Sequence, residues 1–200
     1  DNPTAEQTLV KARQKGVEYD VDVRDDTLFI HTNDDHINFR LATAPLASPS
    51  EWTTLIEGSD DFYLTDFELF KDFYVTEGRL AGLDQVQLRA YDDADNITPI
   101  AFPEASFVAG LSNNPEYDVS KLRLSYQSMV TPGSVYDYDV QTGALELLKQ
   151  QEIPSGYDAS LYKTERLTIT ARDGATLSLR GPAREPDAGQ PIMLCLHGRT

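Results

Sequence analysis

The segment Leu122-Arg123-Leu124-Ser125-Tyr126 alternates apolar and polar side chains with a period of two. This period is typical of a β-strand with one buried face, because successive side chains of a strand point to opposite faces of the sheet. Two strand-like segments precede it, Leu28–Thr32 and Phe73–Glu77, and the three begin 45 and 49 residues apart. The sequence therefore predicts one strand-rich unit that occurs three times.

Each unit contains four predicted strands, separated by residues that favour turns. The predicted first strands of the three units are Glu18–Val23, Phe67–Phe70 and Phe107–Leu111. The third strands are Asn38–Leu46, Gln85–Tyr91 and Ser134–Val140. The fourth strands are Trp52–Glu57, Ile97–Phe102 and Ala144–Gln151. Four short strands that recur every 40–50 residues are typical of β-propeller blades, which bury their faces against neighbouring blades.

We predict a mainly β protein with three blades, at about 18–57, 62–102 and 107–151. An irregular β-sandwich of twelve strands is the alternative. A propeller typically closes with 4–8 blades, so three blades indicate part of a larger one. We expect Thr8–Arg13 to be the outer strand of a preceding, incomplete blade.

The charge of the chain is concentrated in its first 150 residues. The 200-residue chain has a net charge of −16; residues 1–150 contain 27 acidic and 11 basic side chains, and residues 151–200 contain six of each. This acidity argues against a nucleic-acid partner, because phosphate binding requires a basic surface. No apolar segment reaches the ~18 residues of a membrane helix, so no membrane partner is expected.

The acidic excess has two readings, which are steering of cationic peptides and simple solubility. The cluster Asp92–Asn96 contains oxygen ligands of the kind that calcium prefers, but it lacks the glycine and the distal glutamate of an EF-hand, which favours a hairpin turn. One cysteine, Cys195, and three histidines exclude an internal disulfide framework and make a metal centre unexpected. No metal or other cofactor is predicted.

The pattern changes after Pro154-Ser155-Gly156, which is predicted to be a linker. Leu167–Thr170 and Thr176–Leu179 flank Asp173-Gly174, a pair that favours a β-hairpin turn. The apolar run Pro191–Leu196 is then typical of a buried strand. Two antiparallel strands followed by a buried strand are how an α/β-hydrolase domain begins. We therefore predict a propeller part over 1–153, and a linker and first hydrolase strands over 154–200.

Many segments of the chain resemble the prolyl oligopeptidase family of serine peptidases, and within it the oligopeptidase B branch. The resemblance extends from about residue 8 to residue 194. The segments that carry it are Asn38–Leu41, Ala44–Leu46, Glu68–Asp72, Ala101–Glu104, Asn114–Asp118, Ser125-Tyr126, Thr131-Pro132, Ser134–Asp139, Leu147–Glu152, Gly156–Asp158, Glu165-Arg166 and Ala171–Gly174.

The resemblance implies a seven-bladed propeller that caps an α/β-hydrolase domain. It also implies an enzyme that cleaves short peptides after arginine or lysine, so that short basic peptides would be the partners of the complete protein. On this template the chain forms the closing part of the propeller, which restricts substrate access, and the start of the catalytic domain. We expect a cytoplasmic location, with the periplasm as the alternative.

The Ser-Asp-His triad of this family is not found in the chain. No Gly-x-Ser-x-Gly elbow occurs, and the nearest pairs, Gly58-Ser59 and Gly133-Ser134, are predicted to be turns. His31 and His36 fall in a strand and a turn of the propeller part. The chain by itself is therefore expected to be inactive. Two other functions stay open, which are a stand-alone, non-enzymatic propeller module and an inactive paralogue.

One catalytic-type position is suggested by the resemblance. The family carries a tyrosine after its buried strand that donates a hydrogen bond to the oxyanion of the tetrahedral intermediate, and His197 falls at that position, followed by the matching Gly198. A histidine can donate such a bond. The residues around it, Cys195, Leu196, Arg199 and Thr200, depart from the family pattern.

Overall fold

The computed structural model describes residues 7–93, 95–174, 176–184 and 195–197, the last two ranges by their backbone. Antiparallel strands dominate the chain. They are β1 (Tyr19–Arg24), β2 (Thr27–Thr32), β3 (Arg40–Pro45), β4 (Thr53–Ile56), β5 (Phe62–Leu69), β6 (Phe73–Leu80), β7 (Leu83–Ala90), β8 (Ile97–Pro99), β9 (Val108–Leu111), β10 (Lys121–Gln127), β11 (Ser134–Asp139), β12 (Leu145–Gln150), β13 (Tyr162–Thr170), β14 (Thr176–Arg184) and β15 (Cys195–His197).

The strands form four sheets, each made of consecutive strands. Sheet 1 contains β1–β4, sheet 2 contains β5–β8 and sheet 3 contains β9–β12, and in each of them the strands lie side by side in chain order. Sheet 4 contains β13, β14 and β15 in the same simple order. The predicted three units of four strands are thus confirmed, including their order along the chain.

In sheet 2 the predicted start of the first strand is wrong. Its first strand begins at Phe62 rather than at the predicted Phe67, and it pairs with β6 along its whole length. A register shift between Leu64 and Asp66 marks a bulge. A bulge places two residues opposite one and reverses the alternation of faces. The pattern of apolar residues therefore breaks inside the strand.

The predicted outer strand at Thr8–Arg13 is wrong. This segment is not in a strand, and its side chains attach it to sheet 1. The Lys11 ammonium lies 3.6 Å from the centre of the Trp52 ring and donates to Asp34 at 3.3 Å, while the Lys11 carbonyl accepts a bond from Tyr19 Oη. Side-chain contacts, not a backbone ladder, hold the segment in place.

Apolar side chains fill the spaces between successive sheets. Between sheets 2 and 3, Leu122 and Leu124 of β10 are fully buried and pack with Val75, Val86 and Leu88. Between sheets 1 and 2, the core consists of Phe29, Leu41, Leu64, Leu69 and Tyr74. Each sheet thus completes its core only with its neighbour, as expected of propeller blades.

Sheet 4 follows a short 3-10 turn at Ala159–Leu161. The predicted hairpin at Asp173-Gly174 is confirmed, since β13 and β14 pair over nine residues each and Gly174 has a φ of 87°. Tyr157 Oη donates to the Val130 carbonyl at 2.6 Å, and Arg166 donates to the Ala81 carbonyl. Of the apolar run at 191–196, residues 191–194 lie outside the described residues, and β15 pairs with β14.

An ion pair fastens the β2–β3 connection of sheet 1. The Asp34 carboxylate accepts from Arg40 Nε at 2.8 Å and from Arg40 Nη2 at 3.1 Å. Arg40 is 8% exposed and donates also to Thr54. The hydrogen bond from Arg40 holds the pKa of Asp34 below its usual value, against the opposing effect of burial.

A carboxylate also organises the loop between β10 and β11. Glu104, in the connection from sheet 2 to sheet 3, accepts hydrogen bonds from Tyr126 Oη at 3.0 Å, Ser128 Oγ at 2.7 Å and Thr131 Oγ1 at 2.5 Å. Three hydroxyl donors therefore depend on one acceptor, directly beside the Val130 carbonyl that binds the linker.

We predict that Asp34→Asn lowers the free energy of unfolding by about 3 kcal/mol near neutral pH, because it leaves the buried Arg40 charge without its partner. The native pKa of Asp34 is depressed, so its contribution is present above the pKa of the unfolded chain and is lost as the pH falls through the native value. Urea unfolding at about pH 7 and about pH 3 should show a larger difference from the parent protein at the higher pH.

The control for this measurement is Asp25→Asn. Asp25 is paired with Arg24 at 3.2 Å, but its side chain is 77% exposed, so its loss should change stability by less than about 0.5 kcal/mol. Equal effects of the two substitutions would contradict the assignment of Asp34 as a buried anchor.

We predict that Glu104→Ala lowers the free energy of unfolding by about 2–4 kcal/mol, because the three hydroxyl groups lose their acceptor in a partly buried place. Glu104→Gln keeps one acceptor oxygen and should lose less. Replacing the exposed Glu116 by alanine is the matched control and should have little effect. Thermal or urea unfolding measures all three, and equal stability of the two alanine variants would refute the prediction.

Candidate functional site

The first strands of sheets 1, 2 and 3 lie at an edge of their sheets. An edge strand has a hydrogen-bonding neighbour on one side only, so that alternate N–H groups have no ladder partner. In β1, Asp22 Oδ1 accepts from the N–H of Val23 at 2.7 Å, and in β5 Asp66 Oδ1 accepts from the N–H of Phe67 at 2.8 Å. Aspartate side chains thus cap the free edge of both strands.

The free edge of β9 is capped from the neighbouring sheet. Glu77 Oε1 of β6 accepts from the N–H of Leu111 at 2.6 Å, and Asp84 Oδ2 of β7 accepts from the N–H of Ala109 at 3.2 Å. A Cβ at Gly110 would lie 2.6 Å from Glu77 Oε1, so a side chain at this residue would displace the carboxylate from its present position. These bonds connect sheet 2 to sheet 3.

These carboxylates, together with Glu68, define what we call the inner acidic surface: Asp22, Asp66, Glu68, Glu77 and Asp84. Burial raises the pKa of Glu68, and the charges of Asp66 and Asp22 raise it further. Burial also raises the pKa of Glu77 to about 7; its bond from Leu111 opposes the shift, and Asp66, Glu68 and Asp84 add to it. The carboxylates are thus close enough to repel one another.

A cavity of about 280 Å³ opens on this surface where β5, β6, β7 and β9 meet. Asp66, Glu77 and Asp84 contribute carboxylates to its wall, and Arg79 contributes a guanidinium whose Nε donates to Asp84 at 3.0 Å. The excess of negative charge attracts cationic groups and repels anionic ones. The arrangement suits electrostatic attraction of cationic ligands.

The two histidines of the propeller part have structural roles. His31 is buried between sheets 1 and 2, where its Nε2 lies 3.0 Å from the Leu64 carbonyl and its ring stacks on Phe39 at 4.5 Å. His36 lies in the β2–β3 connection, accepts from the N–H of Asn38 at 3.0 Å and is 3.4 Å from Asp60.

Local hydrogen bonds involve the residues that were predicted to be turns. Ser59 Oγ accepts from the N–H groups of Asp61 and Phe62. Ser134 is instead the first residue of β11, and its Oγ donates to the Pro132 carbonyl. In the Asp92–Asn96 cluster, of which Ala94 is not described, the Asp93 carbonyl accepts from Asn96 and its carboxylate accepts from Asp95.

Within the described ranges, no group of three or more histidine, cysteine, aspartate or glutamate side chains could hold a metal ion. In the same ranges no helix has the length and apolar character needed to cross a membrane.

The position suggested for the oxyanion, His197, lies in β15, and its backbone is opposite Ser178 of β14. The hydrogen-bonding role of its side chain stays a prediction. The individual carboxylates of the inner acidic surface were not identified from sequence. The available signal was a charged residue, Glu77, at the end of an otherwise apolar strand segment, but sequence alone does not reveal which neighbouring edge such a residue caps.

Comparison with known proteins agrees with this architecture. Residues 1–151 match the model of the prolyl oligopeptidase N-terminal β-propeller domain. Dipeptidyl aminopeptidase BI of Pseudoxanthomonas mexicana is 39% identical over 172 residues, which is 84% of this chain and 23% of that protein. Protease 2 of Moraxella lacunata is 29% identical over 200 residues, which is 99% of this chain and 28% of that protein.

Solved structures give the same result. Oligopeptidase B from Trypanosoma brucei aligns with 90% of this chain and 27% of its own, at 31% identity and a TM-score of 0.79. Oligopeptidase B from Leishmania major aligns with 91% of this chain and 27% of its own, at 30% identity and a TM-score of 0.77. The chain therefore spans about a quarter of the length of these relatives, and it belongs to the prolyl oligopeptidase family of serine peptidases as a segment that contains part of the N-terminal β-propeller.

Proposed function

We propose that this chain is the part of a serine oligopeptidase that admits peptide substrates to an adjoining catalytic domain, and that the complete enzyme cleaves short peptides after arginine or lysine. The observation that carries the proposal is the inner acidic surface. Its carboxylates lie on the first strands of the propeller sheets and at the seams, where one sheet packs against the next. A surface of this charge concentrates cationic peptides and increases their association rate.

The capping bonds leave these carboxylates able to act on a ligand. An ionised carboxylate has about four lone-pair sites, and one backbone N–H uses one of them. Asp22 and Asp66 are exposed side chains that each accept a bond from the following residue. Their negative charge therefore remains directed to solvent, where a peptide would approach.

We propose further that residues 154–200 begin the catalytic domain. Two bonds attach this part to the propeller sheets. Arg166 of β13 donates to the Ala81 carbonyl in the turn between β6 and β7, and Tyr157 of the linker donates to the Val130 carbonyl in the β10–β11 loop. The β6–β7 turn and the β10–β11 loop each connect the second strand of their sheet to the third. They therefore lie at the same end of sheets 2 and 3. This end would face the active site, with His197 as the proposed oxyanion donor.

A second candidate is the release of dipeptides from the amino terminus of a substrate. It is favoured by the 39% identity to a protein named dipeptidyl aminopeptidase BI. The two activities differ in the cationic group that is recognised, which is a free α-amino group in one and an arginine or lysine side chain in the other. Acetylation of the substrate amino terminus therefore prevents dipeptide release but not cleavage after arginine or lysine.

The test uses the complete polypeptide that contains this segment, once the coding sequence on both sides has been read. We expect hydrolysis of an acetylated fluorogenic peptide ending in arginine, at a kcat/KM roughly tenfold or more above that of the matched citrulline peptide, which is neutral and nearly isosteric. Cleavage of non-acetylated peptides alone would favour dipeptide release. Absence of both activities would favour a binding module or an inactive paralogue.

The role of the inner acidic surface is tested by the double substitution Asp22→Asn and Asp66→Asn. Asparagine keeps an oxygen that accepts the capping bond and removes the charge, so we expect unchanged thermal stability and a roughly tenfold lower kcat/KM for the arginine peptide at low salt. The difference should shrink as salt screens the charges. Asp118→Asn, which removes an exposed carboxylate paired with Lys71, is the control. Equal kinetics of the parent and the double variant would refute the role.

A further inference from the structure

Three apolar side chains are exposed at one end of the propeller sheets, where the second strand of each sheet connects to the third. Ile37 in the β2–β3 connection is 81% exposed, Leu80 at the end of β6 is 46% exposed and Met129 in the β10–β11 loop is 41% exposed. Single exposed apolar residues are ordinary on a protein surface. Their recurrence at the same place in three successive sheets defines a surface, which we call the apolar end surface.

The β6–β7 turn is apolar at a place where polar residues are favoured. Leu80 pairs with Leu83, so the turn consists of Ala81 and Gly82, whose φ values are 49° and 76°. A two-residue turn with positive φ at both positions favours Asn-Gly or Asp-Gly. Here Leu80, Ala81 and Gly82 are all exposed, and none of them has a polar side chain. The tip of this hairpin is therefore suited to contact with another protein surface.

Ile37 lies on a turn that hydrogen bonds fix on both sides of it. The His36 carbonyl accepts from the N–H of Phe39 at 3.0 Å, and His36 Nδ1 accepts from the N–H of Asn38 at 3.0 Å. Asn38 Nδ2 also donates to the Ser59 carbonyl at 2.8 Å. Because the backbone beside Ile37 is already ordered, little conformational entropy would be lost when a partner covers its side chain.

Met129 is held in a similar way. Ser128 Oγ donates to Glu104 at 2.7 Å and accepts from the N–H of Val130 at 2.9 Å, so both neighbours of Met129 are fixed. The Val130 side chain is buried, and its carbonyl accepts from Tyr157 Oη of the linker at 2.6 Å. The linker therefore contacts the propeller directly beside Met129.

Sheet 4 contacts the same end of the propeller. Arg166 of β13 donates to the Ala81 carbonyl, directly beside Leu80. The linker and sheet 4 thus reach the ends of sheets 3 and 2, next to two of the three residues of the apolar end surface. Ile37 has the corresponding place in sheet 1 and is the most exposed of the three. An interface that begins at sheets 3 and 2 would continue across sheet 1 at Ile37.

The opposite end of these sheets has a different chemistry. There the connections between the first and second strands carry exposed carboxylates, which are Asp25, Asp72 and Asp118. Water solvates a carboxylate well and an aliphatic side chain poorly, so the aliphatic side chain is the one that gains free energy when another surface covers it. An apolar partner surface therefore fits the end that carries Ile37.

We propose that the apolar end surface is the place where the catalytic domain of the complete polypeptide docks on the propeller, and that Ile37 is its contact on sheet 1. The proposal rests on the proposed function, because it identifies the domain that begins with sheet 4 as the catalytic one. A cationic peptide substrate is the less suitable occupant, since the side chains of Ile37, Leu80 and Met129 offer no carboxylate to its charge.

The first experiment replaces Ile37 by aspartate in the complete polypeptide. Ile37 is exposed on the propeller itself, so the change should leave the thermal unfolding of the propeller unaltered while it places a charge in the docking contact. We expect chymotrypsin to cleave after Tyr157 or Tyr162 roughly tenfold faster than in the parent, because weaker docking releases the linker more often. Ile37→Leu keeps an apolar contact and should behave like the parent.

The matched control is Leu46→Asp. Leu46 is 48% exposed and lies in the β3–β4 connection, at the opposite end of the same sheet as Ile37. Its replacement should leave cleavage of the linker unchanged. Equal cleavage of the Ile37→Asp and Leu46→Asp variants would overturn the proposal. An altered KM for peptides with unchanged cleavage of the linker would also overturn it, because that result would identify a substrate surface.

The second experiment needs no variant and no enzymatic activity. Hydroxyl-radical labelling of the complete polypeptide, corrected for the intrinsic reactivity of each side chain, should modify Ile37 and Leu80 several-fold less than Leu46. Labelling of Ile37 as strong as that of Leu46 would overturn the docking proposal, even in an enzyme that cleaves peptides. Protection of Ile37 in a polypeptide without peptidase activity would support docking and refute the proposed function instead.

Discussion

The need to satisfy the free N–H groups of three edge strands is the constraint on which the rest of this structure depends. A blade exposes one edge of its first strand, and alternate N–H groups on that edge have no ladder partner. In this chain carboxylates supply the acceptors: Asp22 and Asp66 from their own strands, and Asp84 and Glu77 from the neighbouring sheet. The same side chains that complete the sheets therefore also contribute to their negative charge.

This double role changes how the acidity of the first 150 residues is understood. Solubility would require only that acids lie anywhere on the surface, and steering would require only that they face the substrate. Capping adds a requirement on geometry, because the carboxylate must reach a particular N–H. Part of the local excess of charge then follows from the hydrogen bonding of the blades. Burial raises the pKa of one of these groups, Glu77, to about 7, and the charges of Asp66, Glu68 and Asp84 add to the shift.

The repeating strands could be predicted from sequence because their information is local: alternation along β10 and turn residues between strands. The start of β5 could not be predicted, because the bulge beside Leu64 reverses the alternation of apolar and polar side chains. The sequence predicts a strand at Thr8–Arg13. In the structure this segment is not in a strand, and Lys11 contacts the Trp52 ring and Asp34 instead. The seam contacts were beyond prediction, since they join residues 25 to 34 positions apart and depend on how the sheets stack.

Stacking itself explains why polar bonds persist at seams that are otherwise apolar. Burial of Leu122, Leu124 and Val75 drives sheets together, but hydrophobic attraction has no preferred direction and would tolerate a sheet that slides. A bond from a side chain to a named backbone group does not tolerate sliding. His31 with the Leu64 carbonyl fixes the height of sheet 2 against sheet 1, and Glu77 with the Leu111 N–H fixes sheet 3 against sheet 2. Both bonds therefore contribute specificity of arrangement, one at each seam.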